Sequence, residues 1–326
     1  MRAVSIVRDC EDGRLVVIET EDPRPAADEI VIDVAGAGVN RADVVQRRGQ
    51  YELPPGASPL PGLECSGTVS VVGADVTQWN VGDRVCALLA GGGYAEKVAV
   101  PKGQVFAIPH SLSLVEAAAL PEVLATAWSN LAGLGQLRAG ERLLIHGGAS
   151  GVGTMAIQLA RMIGAEVLVT VGDDRKMDTC RDLGAKAAFN YRHGDFVEWV
   201  RDETNGMGVD VVLDVVGADY AQRNVEALAV DGRLVVIGLQ SGSVSQIELR
   251  EVLRKRACIT GSLLRARSVA EKTQIISDLV ERVVPWVSDG EVRPVVDSVF
   301  TFENAGDAHR LIESSRHIGK ILLTPG

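Results

Sequence analysis

Short apolar runs rich in β-branched residues, divided by glycine and proline, fill the first third of the chain. Residues 2–7, 29–34, 65–72, 84–89 and 96–100 follow this pattern, which predicts β-strands joined by tight turns. The pattern changes at 114–131, where Ala and Leu recur at helical spacing, and Pro121 breaks or kinks the helix there. Beyond Arg142 the apolar runs 143–145, 167–169, 209–213 and 234–237 alternate with helical stretches. That order predicts a doubly wound parallel sheet. The last residues give two short strands around a helix at 305–313. The expected organisation is therefore α/β: a β-rich domain at 1–122, a parallel-sheet domain at 123–289, and a return of 290–326 to the first domain.

Composition narrows the partners. The chain has 326 residues, 46% of them hydrophobic, and a formal net charge of −10 from 33 basic and 43 acidic side chains. The acidic balance opposes nucleic acid and anionic lipid as partners and favours a small molecule. Cys10, Cys65, Cys86, Cys180 and Cys258 stand singly, without metal-like spacing, and are expected to be reduced thiols. No signal-type stretch opens the chain and no run reaches the roughly 20 apolar residues of a membrane span. A cytoplasmic location is the expectation.

The strongest local motif is His146-Gly147-Gly148-Ala149-Ser150-Gly151-Val152-Gly153, set between an apolar strand and a helical run. Gly148, Gly151 and Gly153 allow a tight turn and close approach of a pyrophosphate, and the following helix offers free N–H groups. Ala149, Ser150 and Val152 complete this cradle. His146 and Ser150 do not form a hydrolase elbow, since no Gly-x-Ser-x-Gly is present. Gly217, and the group Ile237, Gly238 and Leu239, fall at the ends of later strands, where a dinucleotide lies in such sheets.

Several motifs combine into a resemblance. Asn40-Arg41-Ala42-Asp43, Gly49-Gln50-Tyr51, Gly62-Leu63-Glu64-Cys65-Ser66-Gly67 and Gly82-Asp83-Arg84-Val85 come first; Gly91-Gly92-Gly93-Tyr94-Ala95, Phe189-Asn190-Tyr191, Thr260-Gly261-Ser262-Leu263-Leu264 and Gly319-Lys320-Ile321 follow. In order and spacing they resemble the zeta-crystallin-like quinone oxidoreductases, a zinc-free branch of the medium-chain dehydrogenases/reductases. The resemblance covers nearly the whole chain and implies a GroES-like β domain beside a Rossmann domain, assembled as a homodimer. Zinc relatives carry a Cys, a Gly-His-Glu and a later Cys or Asp as ligands. Here the matching regions hold Asn40-Arg41, Gly62-Leu63-Glu64 and Pro121-Glu122, so no metal ligand set is expected.

Two readings of the cofactor arise. Spacing alone would put Asp173 on the ribose hydroxyls of NAD. Matched to the family, the strand tip falls at Gly172, and Lys176 and Tyr191 coincide with residues that resemble a 2′-phosphate site, which implies NADPH. By the same resemblance Leu263 and Leu264 form an apolar wall, Lys320 belongs to the cofactor site, and Asn40, Tyr51 and Ser150 serve the reaction. Tyr51 is suited to donate a hydrogen bond to an acceptor oxygen as charge develops.

The activity so implied is reduction of quinones or related conjugated carbonyls by NADPH without metal. A second reading keeps the cofactor and reduces the double bond of enones or enoyl thioesters. A third is a cofactor-binding or RNA-binding protein with secondary catalysis; the acidic charge opposes its RNA-binding form.

Overall fold

A computed structural model describes residues 1–10 and 12–326. The chain divides into two compact units, one formed by Met1–Ala125 with Leu264–Gly326 and the other by Thr126–Leu263.

In the second unit six strands form one sheet, ordered in space as Ala187–Asn190, Glu166–Val171, Arg142–His146, Val209–Asp214, Leu228–Val236 and Cys258–Gly261. Every pairing in it is parallel. A parallel sheet is covered on both faces, which explains why its strands are continuous apolar runs and not alternating ones. Leu143, Leu144, Val211, Val212 and Leu213 are fully buried. Strand order reverses between Arg142–His146 and Val209–Asp214, so the carboxyl ends of these neighbours open a crevice at the switch point.

The first unit holds a two-stranded sheet, Arg2–Val7 with Arg14–Glu19, and a seven-stranded sheet built on Glu29–Val39. That strand runs five residues beyond the apolar segment 29–34. Its second half, Ala35-Gly36-Ala37-Gly38-Val39, carries little bulk, and the small residues let two neighbours approach. Val39, Gly38 and Ala37 pair with Ile321, Leu322 and Leu323 of the C-terminal strand Lys320–Thr324. Gly36 lies against Val115 and Ala118, where a Cβ would come within 3.2 Å of the Ala118 methyl.

The helical stretch near Pro121 is two helices, Leu114–Ala117 and Pro121–Trp128, followed by a π-helical turn, Ser129–Leu134. Ser113 and Glu116 form a capping box at the start of the first. The return to the first unit begins at Leu264, well before the 290 expected from the strand pattern. The cause is the helix Val269–Arg282, whose Thr273 packs on Gly103 and whose Lys272 is buried in that unit.

Leu144 sits at the centre of the parallel sheet among Leu168, Phe196, Val212 and Leu234. Leu144→Ala should lower unfolding free energy by about 2–5 kcal/mol, whereas Val280→Ala, on an exposed helix face, should change it by less than about 0.5 kcal/mol. Urea unfolding followed by circular dichroism checks both.

Candidate functional site

In the second unit the glycine loop leaves the strand Arg142–His146 and enters the helix Gly151–Ile163. The Ser150 hydroxyl accepts the Gly153 N–H at 3.0 Å, so Ser150 is placed as the helix cap and Gly151, Val152 and Gly153 form the first turn. A Cβ on Gly153 would overlap the carbonyl oxygens of Gly147 and Gly148, so only glycine closes this turn. Gly148 and Ala149 complete the loop. His146 is buried, with Nδ1 2.8 Å from Thr170 Oγ1 and Nε2 2.7 Å from Asn224 Oδ1. Burial lowers its pKa to about 4, so it is neutral and fully engaged, and it supplies no base beside Ser150.

Two later segments reach the same end of the sheet. Asp214 accepts the N–H groups of Val216 at 2.7 Å and Gly217 at 3.1 Å, which fixes the turn after its strand. The Ile237 N–H binds the Asp214 carbonyl at 2.8 Å, and Gly238 packs against Val215. Leu239 and Leu263 are exposed apolar residues, at 54% and 62%. Leu264 is buried within the first unit, so of the expected pair only Leu263 offers an open apolar surface.

At the tip of the strand Glu166–Val171, Gly172 and Tyr191 are neighbours, and a Cβ on Gly172 would strike the Tyr191 hydroxyl. Lys176 lies in the helix Asp174–Asp182 that follows. Asp173 caps that helix through the Arg175 N–H at 2.9 Å, and its carboxylate pairs with the Arg175 guanidinium at 2.7 Å. The hydrogen bonds from Arg175 hold its pKa down, at about 2. The acidic residue that spacing points to for NAD is thus committed to a side chain two positions on.

The first unit carries a buried polar cluster. Glu64 is fully buried; its Oε1 accepts from Lys320 Nζ at 2.6 Å and Asn40 Nδ2 at 2.8 Å, and its Oε2 accepts the Glu122 N–H at 2.8 Å. Lys320 directs its other protons to the Val39 carbonyl at 3.0 Å and Asn40 Oδ1 at 2.7 Å. With three acceptors around three N–H groups, this ammonium has no donor left for a phosphate. Within the first unit Lys320 thus orients Glu64 and Asn40, whereas its motif pointed to the cofactor site. Asn40 is committed in the same way, its amide oxygen to Lys320 and its amide nitrogen to Glu64.

Asp43 is also fully buried and accepts the Asn40 N–H at 2.8 Å, the Gly62 N–H at 2.9 Å and the Tyr94 hydroxyl at 3.2 Å. Burial raises its pKa to about 6 against the opposing backbone hydrogen bonds. Tyr94 in turn meets His309 Nε2 at 3.2 Å, and burial holds His309 neutral, its pKa lowered to about 3. Glu122 has its pKa raised to about 8, first by burial and then by Glu64.

Tyr51 is half-buried, its ring 5.0 Å from the Arg265 guanidinium carbon. Burial raises the phenol pKa, so Tyr51 is a proton-bearing donor near neutral pH. Sequence reasoning missed Arg265 and Glu122 as parts of a site. Arg265 stands two residues from Arg267 with the same local composition, and only the fold separates the buried one from its neighbour.

Residues 26–110 match the family model described as alcohol dehydrogenase GroES-like domain, and residues 151–282 match that described as zinc-binding dehydrogenase. Quinone oxidoreductase-like protein 2 of Bos taurus is 31% identical over 313 residues, which cover 95% of this chain and 89% of that protein. Mycocerosic acid synthase-like polyketide synthase of Mycobacterium tuberculosis is 31% identical over 300 residues, 92% of this chain, although the match spans only 14% of that protein. Among solved structures, Escherichia coli quinone oxidoreductase complexed with NADPH aligns with a TM-score of 0.88 at 29% identity, covering 99% of each chain. CurK enoyl reductase aligns with a TM-score of 0.87 at 31% identity, covering 99% of this chain and 98% of that one.

The zinc that one model's description carries does not fit this donor set. Asn40, Leu63, Glu64 and Glu122 stand in the matching regions, and the oxygens of Asn40 and Glu64 already face the Lys320 ammonium. Among the described residues no three His, Cys, Asp or Glu side chains are grouped to hold a metal. A dinucleotide does fit the second unit: the glycine loop follows a parallel strand and opens the helix Gly151–Ile163, the arrangement in which a helix N-terminus meets a pyrophosphate.

Removing one partner of the buried Glu64–Lys320 pair should strand the other. Lys320→Met is expected to cost about 3–5 kcal/mol of stability, while adding Glu64→Gln should recover at least ~1 kcal/mol relative to additivity. Denaturant unfolding of the two single variants and the double variant measures the coupling.

Proposed function

Because this chain belongs to the medium-chain dehydrogenase/reductase family, we propose that it is an NADPH-dependent reductase of quinones or related conjugated carbonyls that works without a metal. The observation that carries the reading is the donor set itself: Asn40 and Glu64, which stand in the regions where the resemblance expects zinc ligands, are bound to the Lys320 ammonium. With no Lewis-acid site, the acceptor must be one that takes hydride readily, as conjugated carbonyls do. A homodimer in the cytoplasm belongs to the same reading.

On this reading the cofactor would be held by the loop from Gly148 to Gly153 and by Gly217, Ile237, Gly238 and Leu239, with Gly172, Lys176 and Tyr191 at the 2′-phosphate. NADPH supplies the hydride when bound. Tyr51 donates a hydrogen bond to the acceptor oxygen, an interaction that strengthens as negative charge develops there. Asn40 and Lys320 compensate the charge of Glu64, which limits its opposition to that charge. Leu263 gives the apolar surface expected beside a flat acceptor.

A second reading, reduction of the carbon–carbon double bond of enones or enoyl thioesters, is supported by the likeness to CurK enoyl reductase. Initial rates with NADPH against quinones, enals and enoyl thioesters test both. Fastest turnover of quinones supports the first reading, fastest turnover of enoyl thioesters supports the second, and no turnover of any acceptor contradicts both.

Two further outcomes are expected. Lys176→Ala should weaken NADPH roughly tenfold to a hundredfold, through loss of a charge-assisted contact, and leave NADH nearly unchanged. Asp173→Ser should leave NADH unchanged because Arg175 already holds that carboxylate; fluorescence titration of the wild type and both variants with NADPH and NADH gives the six dissociation constants.

The pH profile should report Glu122. Its pKa is raised above the ordinary 4.5 to about 8, so the side chain is neutral below that pH and gains negative charge as pH rises through it. Added negative charge in the buried cluster opposes the charge growing on the acceptor oxygen. The value of kcat/KM should therefore fall in two steps, above about pH 6 as Asp43 ionises and again above about pH 8, and Glu122→Gln should remove the second limb.

A further inference from the structure

Arg265 is 2% exposed, and its two terminal nitrogens have neither a hydrogen-bond partner nor contact with solvent. Its Nε donates to the Ala90 carbonyl at 2.8 Å, and its own carbonyl accepts from the buried Lys272 Nζ at 2.8 Å. The side chain is thus pinned at the base of the fork and by its backbone, with the two outer N–H groups left unused. A guanidinium stays charged throughout the working pH range, and burying it without a partner is costly. Such a pair of unmet donors calls for a partner that the fold itself does not supply.

The neighbouring carboxylates do not complete it. Asp43 spends its oxygens on the N–H groups of Asn40 and Gly62 and on the Tyr94 hydroxyl. Glu122, its pKa raised to about 8, is a neutral acid near pH 7. Glu64 is bound to Lys320. On one side the fork lies against Gly91, where a Cβ would sit 3.4 Å from Nη2 and 2.6 Å from the Ser58 carbonyl oxygen, so the lack of a side chain lets that loop approach the guanidinium. Over the other the Tyr51 ring stacks on the guanidinium and, being half-buried, is the cover that must turn to admit a ligand.

We propose that the Arg265 fork is a subsite for a carboxylate carried by the acceptor, so that this chain selects conjugated carbonyl compounds bearing an acid group. The planar fork presents two parallel N–H groups, the geometry that a carboxylate fills with both oxygens. Tyr51 stands against this fork, so the acid would anchor the acceptor beside the phenol that donates to its carbonyl oxygen. The catalytic half of this inference rests on the reductase reading given above; the carboxylate-binding half does not.

The test uses the full chain and two matched pairs. For turnover, 4-oxo-4-phenylbut-2-enoate and its methyl ester are compared with NADPH. For binding without cofactor, 4-oxo-4-phenylbutanoate and its methyl ester are compared by calorimetry. The wild type should favour each acid over its ester by about tenfold or more, and Arg265→Gln should bring both ratios to within about twofold. Arg265→Lys, which keeps the charge but not the fork, should keep only part of the preference. Equal binding of acid and ester by the wild type, or an acid preference that survives in Arg265→Gln, would overturn the proposal. So would a loss of NADPH affinity in Arg265→Gln with the acid preference intact, which would assign the fork to the cofactor. If neither butenoate is reduced while the acid preference in binding holds, the reductase reading fails and the carboxylate subsite stands.

Discussion

The buried pair of Glu64 and Lys320 orders the first unit. Two such groups out of water are tolerated only when the remaining lone pairs and protons are met. Here both are: the carboxylate also receives Asn40 Nδ2 and the Glu122 N–H, and the ammonium also reaches the Val39 carbonyl and Asn40 Oδ1. The pair joins distant parts of the sequence. Lys320 begins the C-terminal strand, Glu64 begins the strand that pairs across Glu29–Val39, and Asn40 ends the turn between that central strand and the helix Arg41–Arg47. One ion pair therefore fixes the chain end onto the central strand and also sets the direction of the Asn40 amide.

Around it the titratable groups are sorted by environment. Asp43 rises towards neutrality, Glu122 rises above it, and His309 is held neutral, in each case chiefly because burial penalises charge. Beside them the two outer N–H groups of Arg265, under the Tyr51 ring, are left unused by the fold. The second unit makes its provision with backbone instead, through the glycine turn that ends at Gly153 and the Gly172–Tyr191 contact. Side-chain chemistry is concentrated in one unit and anion-compatible backbone in the other.

The parallel sheet was legible because burial on both faces writes continuous apolar strands, and the loop between 146 and 153 has one geometric solution. The second half of Glu29–Val39 was not, since strand propensity is weak for Gly and Ala and the reason for them lies in partners almost 300 residues away. Lys320 shows the limit of motif matching: its identity fits a family pattern, but where its three protons go is decided by Glu64, Asn40 and Val39 together. Asp173 was ambiguous for the opposite reason, because the decisive neighbour, Arg175, is local and its ion pair is not implied by spacing. Arg265 carried no signal, as nothing in Leu264-Arg265-Ala266-Arg267 tells which arginine turns inward.

The central claim is that Glu64 and Asn40 are committed to an ammonium, so that turnover needs no metal. It is tested most directly by measuring metal content and NADPH-dependent turnover in the same preparations, before and after chelation and after loading with zinc. The expected result is a rate per chain that does not follow metal content, with full activity at zinc well below one ion per chain. A rate that rises in proportion to bound zinc and vanishes on its removal would contradict the claim.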